Sequence, residues 1–172
     1  MRQTKTETRS RTQDVKRAGL SEREMRERLL QLVFGGDRRV MGKFVRTVAA
    51  GVPDDTAVVV RGSSITGRRA SNYVPFDADG PGTSDLDLTL VGNDVLKLYD
   101  RETGFYIGRV HSKPLSDEHP DIAPELLPLR RRLMDIAGRA VNIQGTKDWV
   151  MYFREHVMGQ PYLTLVGKVS DE

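Results

Sequence analysis

The 172-residue chain contains no cysteine. Disulfides, a thiol nucleophile and thiolate metal sites are therefore excluded. It also lacks any apolar run near the ~20 residues that a membrane span requires. The opening stretch MRQTKTETRSRTQDVKRAGL has no apolar centre of the kind a secretory signal carries. No membrane partner and a cytoplasmic setting are the expectation. Internal repeats are absent, and the only biased stretch is the N-terminal one.

What remains is ordinary for a globular protein: 38% hydrophobic and 30% charged residues. The length suits one domain with a sizeable core, whereas two domains would each be poorly stabilised. The net charge of +3 is unevenly placed. Residues 1–19 carry six Lys or Arg and two acids, and everything beyond carries 21 basic against 22 acidic residues. The division is thus a basic leader over 1–19 and a nearly neutral domain over 20–172. The leader has too little apolar surface to order itself, and reads either as a solvated tail or as an arm for nucleic acid or another partner.

Helical order is expected from GLSEREMRERLLQLVF, where Ser21 and Glu24 form a capping box flanked by Leu20 and Met25 as a hydrophobic staple. A second helix follows, with Val40, Met41, Phe44, Val45 and Val48 on one face and Gly51 placed to end it before Pro53. TAVVVR (56–61) reads as a buried strand, and SDLDLTLV (84–91) as another. In the second of these, period-2 alternation puts Leu86, Leu88 and Leu90 on one face and Asp85, Asp87 and Thr89 on the other.

Two carboxylates so close repel each other unless they face water or share a cation. One reading is an edge strand with a solvated charged face. The other is a hard divalent ion, Mg²⁺ or Mn²⁺, which takes carboxylate oxygens and leaves positions for phosphate. Gly62 and the serines after it favour the second, because a glycine after a strand admits close backbone approach, and nearby amides and hydroxyls suit phosphate oxygens.

This order of strand, Gly-Ser, short helix or loop, and Asp-x-Asp on the neighbouring strand resembles the signature of the DNA polymerase beta-like nucleotidyltransferase superfamily, over roughly residues 56–92. The resemblance implies an α/β (α+β) domain with a small mixed sheet flanked by helices. It assigns phosphate or nucleotide binding to Gly62, Ser63 and Ser64, and catalytic metal binding to Asp85 and Asp87 with Mg²⁺ or Mn²⁺ as cofactor. The implied activity is transfer of a nucleoside monophosphate from a nucleoside triphosphate to a hydroxyl of a small molecule, protein or RNA.

The segment between the two motifs, rich in Gly and Pro, should form a loop over the site, from which Arg68 and Arg69 either reach phosphate or stay on the surface. A helix is expected within 119–138, started or kinked by Pro128, with Arg130, Arg131 and Arg132 spread too widely around it to serve one ligand. A third strand is expected at 139–145, with Asn142 on its polar face where many members of the superfamily carry a third carboxylate. Asp148 is nearby but sits where a helix would start. In that final helix Trp149, Val150, Phe153 and Val157 form the expected apolar face. His111 reads as a surface or packing histidine before it reads as a base. The missing acid leaves a second reading open: a nucleotidyltransferase-like binding or regulatory module with weakened turnover, similar to the compact members of toxin and antitoxin pairs.

Overall fold

The computed structural model describes residues 19–169, so the expected basic leader, apart from Gly19, lies outside the described residues. Helix α1 (Glu22–Phe34) starts on the capping box: the Glu24 amide donates to Ser21 Oγ at 3.1 Å, and the Ser21 amide donates to Glu24 Oε2 at 2.8 Å. Gly35, in the left-handed region at φ +59°, ends it. Helix α2 (Arg38–Gly51) is capped by Asp37, whose carboxylate accepts from the amides of Arg39 and Val40.

Gly51 ends α2, as expected, and it also serves packing. A Cβ at this position would stand 2.6 Å from Leu129 Cδ1, so the glycine lets α2 lie close against helix α4 (Leu127–Ala137). Between them in the chain is α3, the four-residue turn Ser63–Thr66. Pro128 falls in the first turn of α4 and so starts that helix. Of the three arginines, Arg131 and Arg132 are exposed, while Arg130 is buried and donates to Val141 O at 2.8 Å and Asp117 Oδ1 at 2.9 Å.

Four strands form one mixed sheet: β1 (Ala57–Arg61), β2 (Leu86–Val91), β3 (Val141–Thr146) and β4 (Tyr162–Val166), in the order β3-β2-β1-β4. β1 runs antiparallel to both β2 and β4, and β2 runs parallel to β3. β2 is therefore interior, and the edge-strand account of its carboxylates fails. Leu86, Leu88 and Leu90 are each at most 1% exposed and join the helices in the main core. Each contributes about 1.5–3 kcal/mol, and a one-residue slip of register would put Asp87 and Thr89 in their place.

The opposite sheet face is covered by α5 (Trp149–Tyr152), which continues as a π-helical turn over Phe153–Val157. Its buried side chains Trp149, Tyr152 and Val157 pack with Val59 and Tyr162. Val150, expected on the apolar face, is 51% exposed, because the buried face of this turn is set by Trp149 and Tyr152, three residues apart, and Val150 falls beside it. Among the described residues, no helix is long and apolar enough to cross a membrane.

Candidate active site

The topology brings three strand ends together. Because β1 opposes β2 and β2 parallels β3, Arg61, Asp87 and Asn142 lie in one row across the sheet. The chain leaves β1 at Gly62, turns at φ +88°, and enters α3. Arg28 of α1 ties that turn down, donating from Nη1 to the carbonyls of Ile65 at 3.1 Å and Thr66 at 2.8 Å. A Cβ on Gly62 would come within 3.0 Å of Asp87 Oδ2, so the glycine and the carboxylate are in close approach.

Asp85 stands just before β2 and is exposed, while Asp87 is partly buried within it. A single amide group links them: Asn142 Nδ2 donates to Asp85 Oδ2 at 3.1 Å and to Asp87 Oδ1 at 3.0 Å. Burial pushes the Asp87 carboxyl above its ordinary range. Arg61 and the Asn142 amide oppose that shift, and the neighbouring Asp85 adds to it. These residues fit a hard divalent cation, since two carboxylates meet at one opening, where a cation would offset the burial that disfavours the inner charge.

The opening is a cavity of about 360 Å³ whose wall includes Gly62, Ser63, Arg69, Asp85, Asp87 and Asn142. Ala70, Ser71, Thr83 and Ser84 complete the wall from the loop between the motifs. That loop is fixed at its far end by Arg139, which donates to Asp77 Oδ1 at 2.9 Å, Asp77 Oδ2 at 3.1 Å and Ser84 O at 2.9 Å. Asp77 in turn accepts from the amides of Ser84 and Gly82. The loop is thus a braced wall.

Gly62, Ser63, Asp85 and Asp87 are gathered around this cavity as the spacing suggested. Ser64 is not in its wall: it is 1% exposed and its hydroxyl is turned into the protein. Arg69 lines the cavity, while Arg68 donates to Tyr73 O at 3.1 Å. Asp148 is a helix cap, accepting from the Met151 amide at 3.0 Å. Asn142 occupies the row beside Asp87, and no third carboxylate lines the cavity among the described residues.

Sequence reasoning missed the polar cluster behind the carboxylates. Arg61 donates from Nε to the Tyr152 hydroxyl at 2.9 Å and from Nη2 to Gln144 Oε1 at 3.0 Å. Tyr152 itself donates to Gln144 Oε1 at 2.7 Å and accepts from Thr89 Oγ1 at 2.9 Å. The guanidinium therefore stands behind Asp87 with its own donors partly committed. Parity along β1 puts Arg61 on the face of Val59, and only the pairing of Val59 with Thr89 makes that the face of Asp87. Tyr152, 91 residues away, gives no sign in the sequence.

Comparison of the chain with family models, curated proteins and solved structures finds no match. The functional reading rests on the site itself.

Proposed function

We propose that the chain is a metal-dependent nucleotidyltransferase, moving a nucleoside monophosphate from a nucleoside triphosphate to an acceptor hydroxyl. The observation that carries this reading is the meeting of Gly62 and Ser63 with Asp85 and Asp87 around one cavity at the strand ends. It supports the resemblance to the DNA polymerase beta-like superfamily in three dimensions, where sequence spacing gave only an order of motifs.

Asp85 and Asp87 would hold Mg²⁺ or Mn²⁺, which supplies charge neutralisation and alignment of the triphosphate when bound. The backbone at Gly62 would admit a phosphate group close to the chain, and Ser63, also in the wall, would offer a hydroxyl to it. Arg69, in the same wall and 3.7 Å from Asp79, would add positive charge toward that anion. In the transfer a bond forms between the acceptor oxygen and the α-phosphorus. The bond from that phosphorus to pyrophosphate breaks, and the hydroxyl proton passes to water. The acceptor class is a small molecule, a protein side chain or an RNA end.

Asn142 favours a second reading, a nucleotide-binding regulatory module with weak turnover, because an amide in that row cannot take a proton from the acceptor. One experiment separates the two. Purified protein is incubated with Mg²⁺ and each α-³²P-labelled nucleoside triphosphate, with and without RNA and cell extract. Label in a product with wild type, and none with Asp85→Ala or Asp87→Ala, supports transfer. Nucleotide binding without product supports the module. Wild-type rates in either aspartate variant would overturn the mechanism.

A further inference from the structure

The chain has three histidines, and two of them meet. One ligand atom each from His111, Glu155 and His156 lies within 4.8 Å of the others, on the sheet face that also carries the candidate active site but at the other end of β3. Asn142 and Thr146 mark the two ends, four residues apart on one strand, which is roughly 13 Å.

The three side chains are held in place before any ligand arrives. The His156 ring is stacked between Tyr106 and Tyr152, with centroid separations of 5.4 and 5.1 Å and interplanar angles of 26° and 25°. His111 is 5% exposed and stands edge-on to both His156 and Tyr152. The π turn brings the adjacent Glu155 and His156 to the same spot as His111, and such turns recur at functional sites.

Hydrogen bonding holds the His111 ring at both nitrogens. Its Nδ1 is 2.8 Å from Thr146 Oγ1. That hydroxyl accepts from the Asp148 amide and has the carbonyls of Asp148 and Val110 at 3.1 and 3.3 Å to take its proton. Its second lone pair can accept from Nδ1–H, the tautomer that turns the Nε2 lone pair toward Glu155 Oε2 at 3.1 Å. With the proton on Nε2 the same distance is an ordinary His–Glu hydrogen bond, and a bound cation takes the place of that proton. A tetrahedral ion with bonds of about 2.0–2.1 Å sets its ligand atoms roughly 3.3 Å apart, close to the His111–Glu155 separation, and His156 brings a third ligand atom within 4.8 Å of both.

We propose that His111, Glu155 and His156 form a second metal site, for a borderline divalent transition ion of the Zn²⁺ class, distinct from the all-oxygen carboxylate pair. Imidazole ligands select such ions over Mg²⁺. Thr146 orients His111 from behind, as partners of metal-bound histidines commonly do. Three protein ligands leave a fourth position open to water or a small anion. The ion would pin the π turn to β3 and so fix Tyr152, whose hydroxyl holds Arg61 behind Asp87.

The test uses the untagged full-length chain and Zn²⁺ alone as probe, titrated against a chromophoric chelator in excess Mg²⁺. The expected result is one equivalent bound by wild type and by His119→Gln and Asp85→Ala. Glu155→Gln and His156→Gln should each weaken binding at least about tenfold. Glu155 is exposed, so its variant keeps the fold; far-ultraviolet circular dichroism checks both. Absence of saturable binding by wild type would show a His111–Glu155 ion pair only and overturn the proposal. So would unchanged affinity in both ligand variants, or loss of binding in Asp85→Ala.

Discussion

The missing Cβ of Gly62 would stand 3.0 Å from Asp87 Oδ2, so the turn that leaves β1 and the inner carboxylate of β2 share one narrow space. Backbone and side chain constrain each other there: the glycine is required at φ +88°, and the carboxylate is aimed by the gap it leaves.

Gly62→Ala should therefore damage the site more than the fold. The backbone at φ +88°, ψ −158° is essentially glycine-only and costs a side-chain-bearing residue about 1–3 kcal/mol, and the new methyl displaces the Asp87 carboxylate. Urea unfolding should show a stability loss of that size. Labelled transfer should drop far more than such a loss explains. Unchanged transfer in a correctly folded variant would mean that close approach at residue 62 plays no part in binding phosphate.

Asn142→Asp tests what the bridging amide replaces. Without divalent ions the variant loses two donated hydrogen bonds and gains a third carboxylate, which should lower stability by about 1–3 kcal/mol. Adding Mg²⁺ should then raise its thermal midpoint by more than it raises that of the wild type, because a ligand bound only by the native state stabilises it. Equal increments in the two proteins would place Asn142 outside the ion's reach.

The Arg139–Asp77 brace predicts a pH-dependent loop wall. Burial pushes the Asp77 carboxyl up, but the Arg139 hydrogen bond and the Ser84 and Gly82 amides outweigh it and hold the group below its ordinary range. A depressed carboxylate contributes stability that is full above the ordinary value of about 3.9 and is lost as pH falls through the lower folded value. The stability gap between wild type and Asp77→Asn should thus close in acid, measured by urea unfolding from about pH 6 to about pH 2. Arg139→Ala, which leaves Asp77 without its cation, should cost about 3 kcal/mol at neutral pH.

How much of this was legible follows from which interactions are local. The capping box and the strand alternation of Leu86, Leu88 and Leu90 each depend on residues within one turn or one strand, and the sequence displays them; at Pro128 it leaves a start and a kink equally open. Strand order is a long-range choice, so it was invisible that β2 would be interior and that the carboxylates would open at a strand end. Gly51 is the last residue of α2, as its place before Pro53 suggests, but its packing against Leu129 has no sign in the spacing. The sequence leaves Asp148 and Asn142 open. Their roles depend on a cap at Met151 and on a row shared with Asp87, and no spacing rule encodes either. His111 looked isolated because its partners Thr146 and Glu155 come from two later elements.

Sheet order also governs how the protein is made. β1 forms its outer pair with β4 across about a hundred residues of chain, the pairing of Val60 with Leu163 being one rung. During synthesis β1 must wait for β4 with one side of its backbone unpaired, at its most apolar segment. Contacts of such sequence separation form slowly, and an uncovered apolar strand edge is a template for pairing with other chains. The last strand is thus a closing seal, and loss of residues 162–166 should appear first as aggregation of new chains during expression, ahead of any measurable change in the site.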